Sequence, residues 1–428
     1  TVTSLPNGSR VATCTAAVFP SVSIGVWVGT GGRYEALSNN GISHFLEHLV
    51  FKGSARYSYL EIKELIEGAG GALNGFTSEE VTCFYAKTLR ENFAVAFDVL
   101  MDMTFQPLVK QQDVEKERAV IVEEIKMYQD LPQHVVYDRL LSLLWPDHPL
   151  GWNLAGTVAS LSGIGRAQII GHHRRWYQPG NILITACGDC EHQAAVRAAA
   201  QFFKRAGLLR RENPFLPGQY PAAPEFRRPP RTDVTIKAIE QTHFCLGMHG
   251  LSRTDPLRQA LTLLHIILGA NMSSRLFNEI RERRGLAYEI GTSLKRFNDC
   301  GALIVHAGVV SERLAQAVEL TVRELDKCRR RLVPDAELRR AKDYYIGQLV
   351  MGLEDNGDHM LWFGEQLMTM QKIKNVRRLI RDVRAVGAAD VRRAARLVVQ
   401  PENIQLTVIG PVSGGQESCL RRFMERCF

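Results

Sequence analysis

Residues 42–52, "ISHFLEHLVFK", space their apolar side chains at helical intervals. Asn39, Asn40 and Gly41 before them are helix-start types and Gly53 after them is a natural stop, so the pattern predicts a short helix over 42–52. Longer amphipathic stripes predict helices over 91–105, 113–130 and 312–328. "VTCFYAKTL" (81–89) and "CGALIVHAGV" (300–309) are instead short runs rich in apolar and β-branched residues, and predict strands. Strands and helices do not alternate strictly. Strand pairs followed by helix pairs predict an α+β fold, with helices layered on a sheet.

The stripes fail between 208 and 232, "LLRRENPFLPGQYPAAPEFRRPPRT", where prolines and charges crowd together as in a linker. The halves on either side are nearly equal in length, and they repeat. "YQPGNILITACGD" (177–189) matches "VQPENIQLTVIGP" (399–411) at an offset of 222 residues, and "DVEKERA" (113–119) matches "DAELRRA" (335–341) at the same offset. The expectation is two copies of one domain of about 200 residues, occupying 1–207 and 233–428 with a linker at 208–232.

Chemistry enters through the first helix. His44 and His48 stand at i and i+4, one turn apart on one face, where two imidazoles can share a tetrahedral zinc ion, and Glu47 lies on the adjoining flank. This H-x-x-E-H order is the inverzincin pattern. Alone it leaves two readings open, a metal site or a pair of hydrogen-bonded core histidines. On the 113–130 helix, Glu117 and Glu124 lie seven residues apart on one face, with Val120, Ile121 and Ile125 expected to hold that helix in the core and Glu115 and Glu123 expected in solvent.

H-x-x-E-H followed, 76 residues after His48, by Glu124 at the end of an E-x6-E pair resembles the pitrilysin family of metallopeptidases, which includes insulin-degrading enzyme and the mitochondrial processing peptidase. "GGALNGFTSEEVTCFYAKTL" (70–89) is similar to a second family segment, with Gly75 where alanine is usual, and "LGANMSSRLFNEIRERRGLAYEIGTSL" (268–294) is similar to its second-half signature. The likeness spans the chain at the size of the family's short, bacterial processing-protease type.

It implies two homologous domains, each a mostly antiparallel sheet packed with helices, arranged as a half-clamshell. It implies one zinc ion per chain on His44, His48 and Glu124, Glu47 as general base to the water on that ion, and Glu117 orienting a ligand histidine. It implies that Arg281 and Tyr288 of the second copy contact substrate backbone. Asn74, Gly75, Phe76 and Thr77, read as an exposed strand edge, are expected to bind an extended peptide as an added strand. The expected activity is endopeptidase cleavage of unfolded peptides or leader segments, in a homodimer whose sites are completed in trans. Members that cleave presequences carry two acidic residues ten and fourteen positions past the third ligand; here His134 and Asp138 stand there, so a strict arginine preference is not expected. The alternative is a catalytic or non-catalytic subunit of a heteromeric processing peptidase, or a scaffold protein of the same fold; the non-catalytic relatives differ by decay of the ligand set, which is complete here. At the 222-residue offset Glu124 falls on Ile346 and Glu117 on Arg339, so the second copy carries no equivalent set.

Composition adjusts the picture slightly. The net charge of +8 is modest, and its basic runs read as solvated helix faces and linker ends without a nucleic-acid reader motif. No run reaches the roughly 18 apolar residues of a membrane helix. Nine cysteines without regular spacing argue against a disulfide framework and for a reducing compartment, with bacterial cytoplasm expected and an organellar matrix or exported form left open. Cys187 and Cys190 form a lone C-x-x-C, read as two ordinary thiols at a strand end.

Overall fold

The computed structural model describes residues 1–15, 20–209, 220–223, 231–400 and 403–426. Most of the predicted linker, at 210–219 and 224–230, therefore lies outside the described residues.

The first half of the chain runs β1 (Val2–Ser4), β2 (Arg10–Thr15), β3 (Ser21–Val28), α1 (Ile42–Val50), α2 (Tyr59–Ile66), β4 (Ala72–Thr77), β5 (Thr82–Leu89), α3 (Phe93–Phe105), α4 (Gln111–Asp130), α5 (Pro132–Leu144), α6 (Val158–Gly163), α7 (Arg166–Trp176), β6 (Ile182–Gly188) and α8 (His192–Arg205). The second runs β7 (Thr232–Ile236), β8 (Thr242–Gly250), α9 (Arg258–Gly269), β9 (Ala287–Arg296), β10 (Gly301–Val309), α10 (Leu314–Arg330), α11 (Asp335–Gly352), α12 (Asn356–Met370), α13 (Val376–Ala385), α14 (Ala388–Val398), β11 (Gln405–Gly410) and α15 (Gly414–Arg426). The 222-residue shift carries α7 onto α14 residue for residue and sets α3, α4, α5 and α8 on α10, α11, α12 and α15 within a few positions.

The sheets obey the same repeat. One is ordered β1-β2-β6-β3-β5-β4 and the other β7-β11-β8-β10-β9, so that β2 to β6 and β7 to β11 occupy the same places. In each, one parallel pair (β2 with β6, β7 with β11) adjoins strands that are otherwise antiparallel. The α+β expectation holds.

The chain forms two compact units. The first comprises Thr1–Ile125, Trp152–Pro221 and Val350–Ile373; the second comprises Lys126–Gly151, Ala222–Leu349 and Lys374–Phe428. A division at 208–232 places one sheet on each side, but it does not describe the units, because each takes a helix from the other half. In the first unit, one sheet face packs Val22, Ile24 and Val26 against Phe45, Phe97 and Phe203. Its other face packs Trp27, Cys83 and Leu183 against Met360, Phe363 and Leu367 of α12. In the second unit, Val136, Leu140 and Leu144 of α5 cover Cys245, Ala302 and Ile304, and Thr407 donates its hydroxyl to the Val136 carbonyl at 2.8 Å. The reason is exposure: successive strand residues point to opposite faces, both faces are apolar, and an apolar face must be covered. α5 and α12 are equivalent in the repeat and are exchanged reciprocally.

Two glycines let them lie close. A Cβ on Gly25 of β3 would come 2.6 Å from Met360 Sδ, and one on Gly247 of β8 would come 2.7 Å from Leu140 Cδ2. These positions are 222 residues apart.

Candidate metal centre

Helix α1 starts with Gly41 at φ 95°, a left-handed conformation that glycine adopts without penalty. None of Asn39, Asn40 or Gly41 supplies the cap by its side chain. Glu35 does so: Oε2 accepts from the Gly41 amide at 2.7 Å and from Asn40 Nδ2 at 3.1 Å, and Oε1 accepts from the Ser43 amide at 2.8 Å. A carboxylate there meets the positive end of the helix dipole; burial nevertheless raises its pKa above the ordinary carboxylate value. The helix buries Ile42, Phe45, Leu46, Leu49 and Val50, which leaves His44, Glu47 and His48 half-buried on the opposite side. It ends at Val50, two residues before the expected boundary.

Helix α4 supplies the carboxylates. It buries Val114, Glu117, Ile121 and Ile125, while Glu115 and Glu123 face solvent as expected. Val120, expected in the core, is 49% exposed: at about 100° per residue it is turned off the stripe that runs through Val114, Ile121 and Ile125.

The two helices bring the predicted residues together. Glu124 Oε2 lies 3.8 Å from His44 Nε2 and 3.7 Å from His48 Nε2. One donor atom from each of the three sits within 4.8 Å of the others, and the two imidazole rings are 4.7 Å apart. His48 Nδ1 lies 3.2 Å from Glu117 Oε2 and donates to that carboxylate, while Nε2 faces Glu124. Lys52 Nζ holds the other Glu117 oxygen at 2.7 Å. Burial and the neighbouring His48 push His44 down to about 4, so it is a neutral imidazole at neutral pH. Two neutral imidazoles and a carboxylate are a donor set that fits zinc, with a position left open.

Glu47 stands beside this set. Burial raises its pKa above the usual carboxylate value, against the opposing pull of Thr77 and His48, and its Oε2 is buried without a hydrogen-bond partner. A cavity of about 320 Å³ opens next to it, lined by Glu47, His48, Lys52, Tyr59, Asn74 and Glu117 among others. Asn74, Gly75, Phe76 and Thr77 all lie on β4, which among the described residues pairs only with β5 and forms the edge of its sheet. A Cβ at Gly75 would come 3.1 Å from the rings of Phe51 and Phe84, so a side chain there would need those rings to shift by a few tenths of an ångström.

In the second unit, Arg281 sits in a π-helical turn, Phe277–Glu282, and its guanidinium carbon lies 5.5 Å from the centre of the Tyr288 ring. Tyr288, on the edge strand β9, is 75% exposed. His134 and Asp138 both fall on α5. Sequence reasoning missed Glu35 and Lys52; the spacing of Lys52, four residues after His48, was the available signal.

Several basic runs are paired within their own segments: Arg283 and Arg284 with Glu279, Arg330 with Asp326, Arg393 with Asp390. Among the described residues, no helix is long and apolar enough to cross a membrane, and no cysteine is in a disulfide.

The family described as insulinase (peptidase family M16) matches residues 10–158, and the one described as peptidase M16 inactive domain matches 163–345. An uncharacterized zinc protease of Streptomyces coelicolor is 36% identical, covering 98% of this chain and 91% of that protein. One of Bacillus subtilis is 34% identical, covering 96% and 98%. Among solved structures, a protease from Helicobacter pylori shares the fold with a TM-score of 0.89 at 22% identity, covering 96% of this chain and 98% of that one. A structure from Pseudomonas fluorescens described as a peptidase M16 inactive domain does so at 0.88 and 18%, covering 96% and 98%. With a first half matching the insulinase family, a following segment matching the M16 inactive domain and relatives named as zinc proteases along nearly its whole length, the chain belongs to peptidase family M16, the insulinase or pitrilysin family.

Proposed function

We propose that the protein is a zinc-dependent endopeptidase that cleaves extended, unfolded peptides or leader segments. The observation that carries this reading is the convergence of His44, His48 and Glu124, from two helices, with Glu47 alongside. Zinc held by those three residues would supply a Lewis acid that brings the acidity of a water molecule close to neutrality.

Glu47, desolvated and with an unpartnered oxygen, takes the proton of the attacking water and hands it to the departing amine. Glu117 fixes the His48 ring by accepting from Nδ1. The free edge of β4 takes the substrate as an added strand, so affinity comes from main-chain hydrogen bonds and tolerates many sequences. An unfolded peptide or leader segment offers such a strand more readily than a folded protein does. Exposed Tyr288 and half-buried Arg281, whose guanidinium carbon lies 5.5 Å from the Tyr288 ring centre, serve as contacts to substrate backbone, contributed to the site of a second copy in a homodimer.

The test compares hydrolysis of an unstructured peptide by the wild type, by Glu47→Gln and by chelator-treated protein. Cleavage that survives both perturbations overturns the reading. For the shared site, an equimolar mixture of Glu47→Gln and Arg281→Ala should recover activity that neither has alone; an inert mixture removes the trans arrangement and leaves the chemistry standing.

A further inference from the structure

The lone C-x-x-C does not act as a pair. Cys187 belongs to the cluster under α12 and Cys190 to the core on the opposite sheet face. The partner of Cys187 is Cys14, its register neighbour on the parallel strand β2. Above them α12 brings His359, whose Nε2 lies 3.9 Å from Cys14 Sγ. One donor atom from each of the three lies within 4.8 Å of the other two.

We propose that Cys14, Cys187 and His359 form a second zinc site, which fastens the exchanged helix α12 to the sheet of the first unit. A tetrahedral ion with Zn–S near 2.3 Å and Zn–N of about 2.0–2.1 Å separates such a sulfur and nitrogen by roughly 3.5 Å, so the groups need move little. Binding releases the two thiol protons to solvent. Two thiolates and a neutral imidazole around Zn²⁺ then carry no net charge, whereas the same ligands around a monovalent ion leave an uncompensated negative charge. Cys187 is buried and Cys14 is half-buried, and the aromatic rings of Trp362 and Phe363 lie 6.1 and 5.9 Å from the His359 ring. Burial in such surroundings favours the neutral complex, hence the divalent ion. Cys14 and His359 are partly exposed, which leaves an entry route and room for water as the fourth ligand. The three ligands span 345 residues, from Cys14 to His359, so an ion here ties together segments that the chain itself connects only at long range.

Cobalt substitution separates this site from the one at His44, because only this one contains sulfur. Reduced, metal-free, full-length protein titrated with Co²⁺ should develop a thiolate-to-cobalt charge-transfer band in the near ultraviolet, saturating at one equivalent for that band. His44→Ala should keep the band. Cys14→Ser should lose it, and His359→Gln, at a half-exposed position, should weaken cobalt binding there at least tenfold while the circular dichroism spectrum is unchanged. Zinc-loaded protein should also protect two thiols from a thiol-specific reagent. Absence of the band in the folded wild type, its persistence in Cys14→Ser, or a Cys14–Cys187 disulfide in peptide maps of the reduced and reloaded protein would overturn the proposal, whatever the fate of peptidase activity.

Discussion

Replacing Glu117 should loosen zinc without displacing any ligand. The carboxylate bridges two partners, accepting from His48 Nδ1 at 3.2 Å and from Lys52 Nζ at 2.7 Å, and it is only 7% exposed. Its bond to His48 fixes the ring and makes Nε2 a better donor. Hydrogen bonds to charged groups are worth about 1.5–3 kcal/mol, and loss of such an outer partner weakens metal binding by roughly 10- to 100-fold, or about 1.4–2.8 kcal/mol.

Glu117→Gln keeps an oxygen for the Nδ1 proton and loses the charge, so it should sit near the tenfold end. Glu117→Ala removes the acceptor as well and should approach 100-fold. Lys52, 30% exposed on its side chain, can turn to solvent in either variant and should contribute little to the loss. Lys52→Met is therefore the control: it frees the carboxylate to act on His48 alone, and zinc affinity should be held or raised. Competition against a chromophoric chelator gives the dissociation constants, and melting of the metal-free proteins checks the fold. Wild-type affinity in both Glu117 variants would refute the orienting role. A loss in Lys52→Met equal to that in Glu117→Gln would refute the assignment of the effect to His48.

Other expectations follow from the same geometry. Glu47→Gln should retain zinc and lose peptide hydrolysis by about 10²–10⁴-fold; loss of the metal instead would make Glu47 a ligand rather than a base. Gly25→Val should destabilise the first unit by about 1–3 kcal/mol, because α12 leaves no room for a side chain, and an unchanged denaturation midpoint would mean that α12 does not pack there. His265 is pushed down to about 4 from 6.5, by burial first and then by Arg296 and His306. Below pH 6.5 the unfolded chain therefore binds this proton before the folded one. Its contribution is complete above that pH and falls toward pH 4, by up to about 1.4 kcal/mol per pH unit. His265→Gln should flatten the acid limb of the stability profile, and an identical profile would contradict the assignment.

The convergence of His44, His48 and Glu124 was legible because it is written in two helical periodicities. His44 and His48 share a face by their four-residue spacing, and Glu117 and Glu124 share one by their seven-residue spacing. The repeat was legible because its offset stays constant, carrying α7 onto α14 without a shift. The exchange of α5 and α12 was not, since an amphipathic stripe says that a helix must cover something and not which sheet it covers. Glu35 was missed because its cap acts from six residues before Gly41, through a loop rather than from the N-cap side chain. The Cys14–Cys187 pairing was missed for a similar reason: strand register brings together residues 173 positions apart, while the visible C-x-x-C splits its two thiols between opposite faces. Val120 lies on the flank of its helix stripe, where an apolar residue can still face solvent.

The central claim is that His44, His48 and Glu124 hold one zinc ion. Diffraction from crystals of unchelated protein at wavelengths on either side of the zinc absorption edge tests it directly. The account predicts an anomalous peak within about 2.0–2.2 Å of His44 Nε2, His48 Nε2 and a Glu124 carboxylate oxygen, with Glu47 beside it but not bound. No peak there in zinc-replete crystals, or an ion held by other side chains, would contradict it.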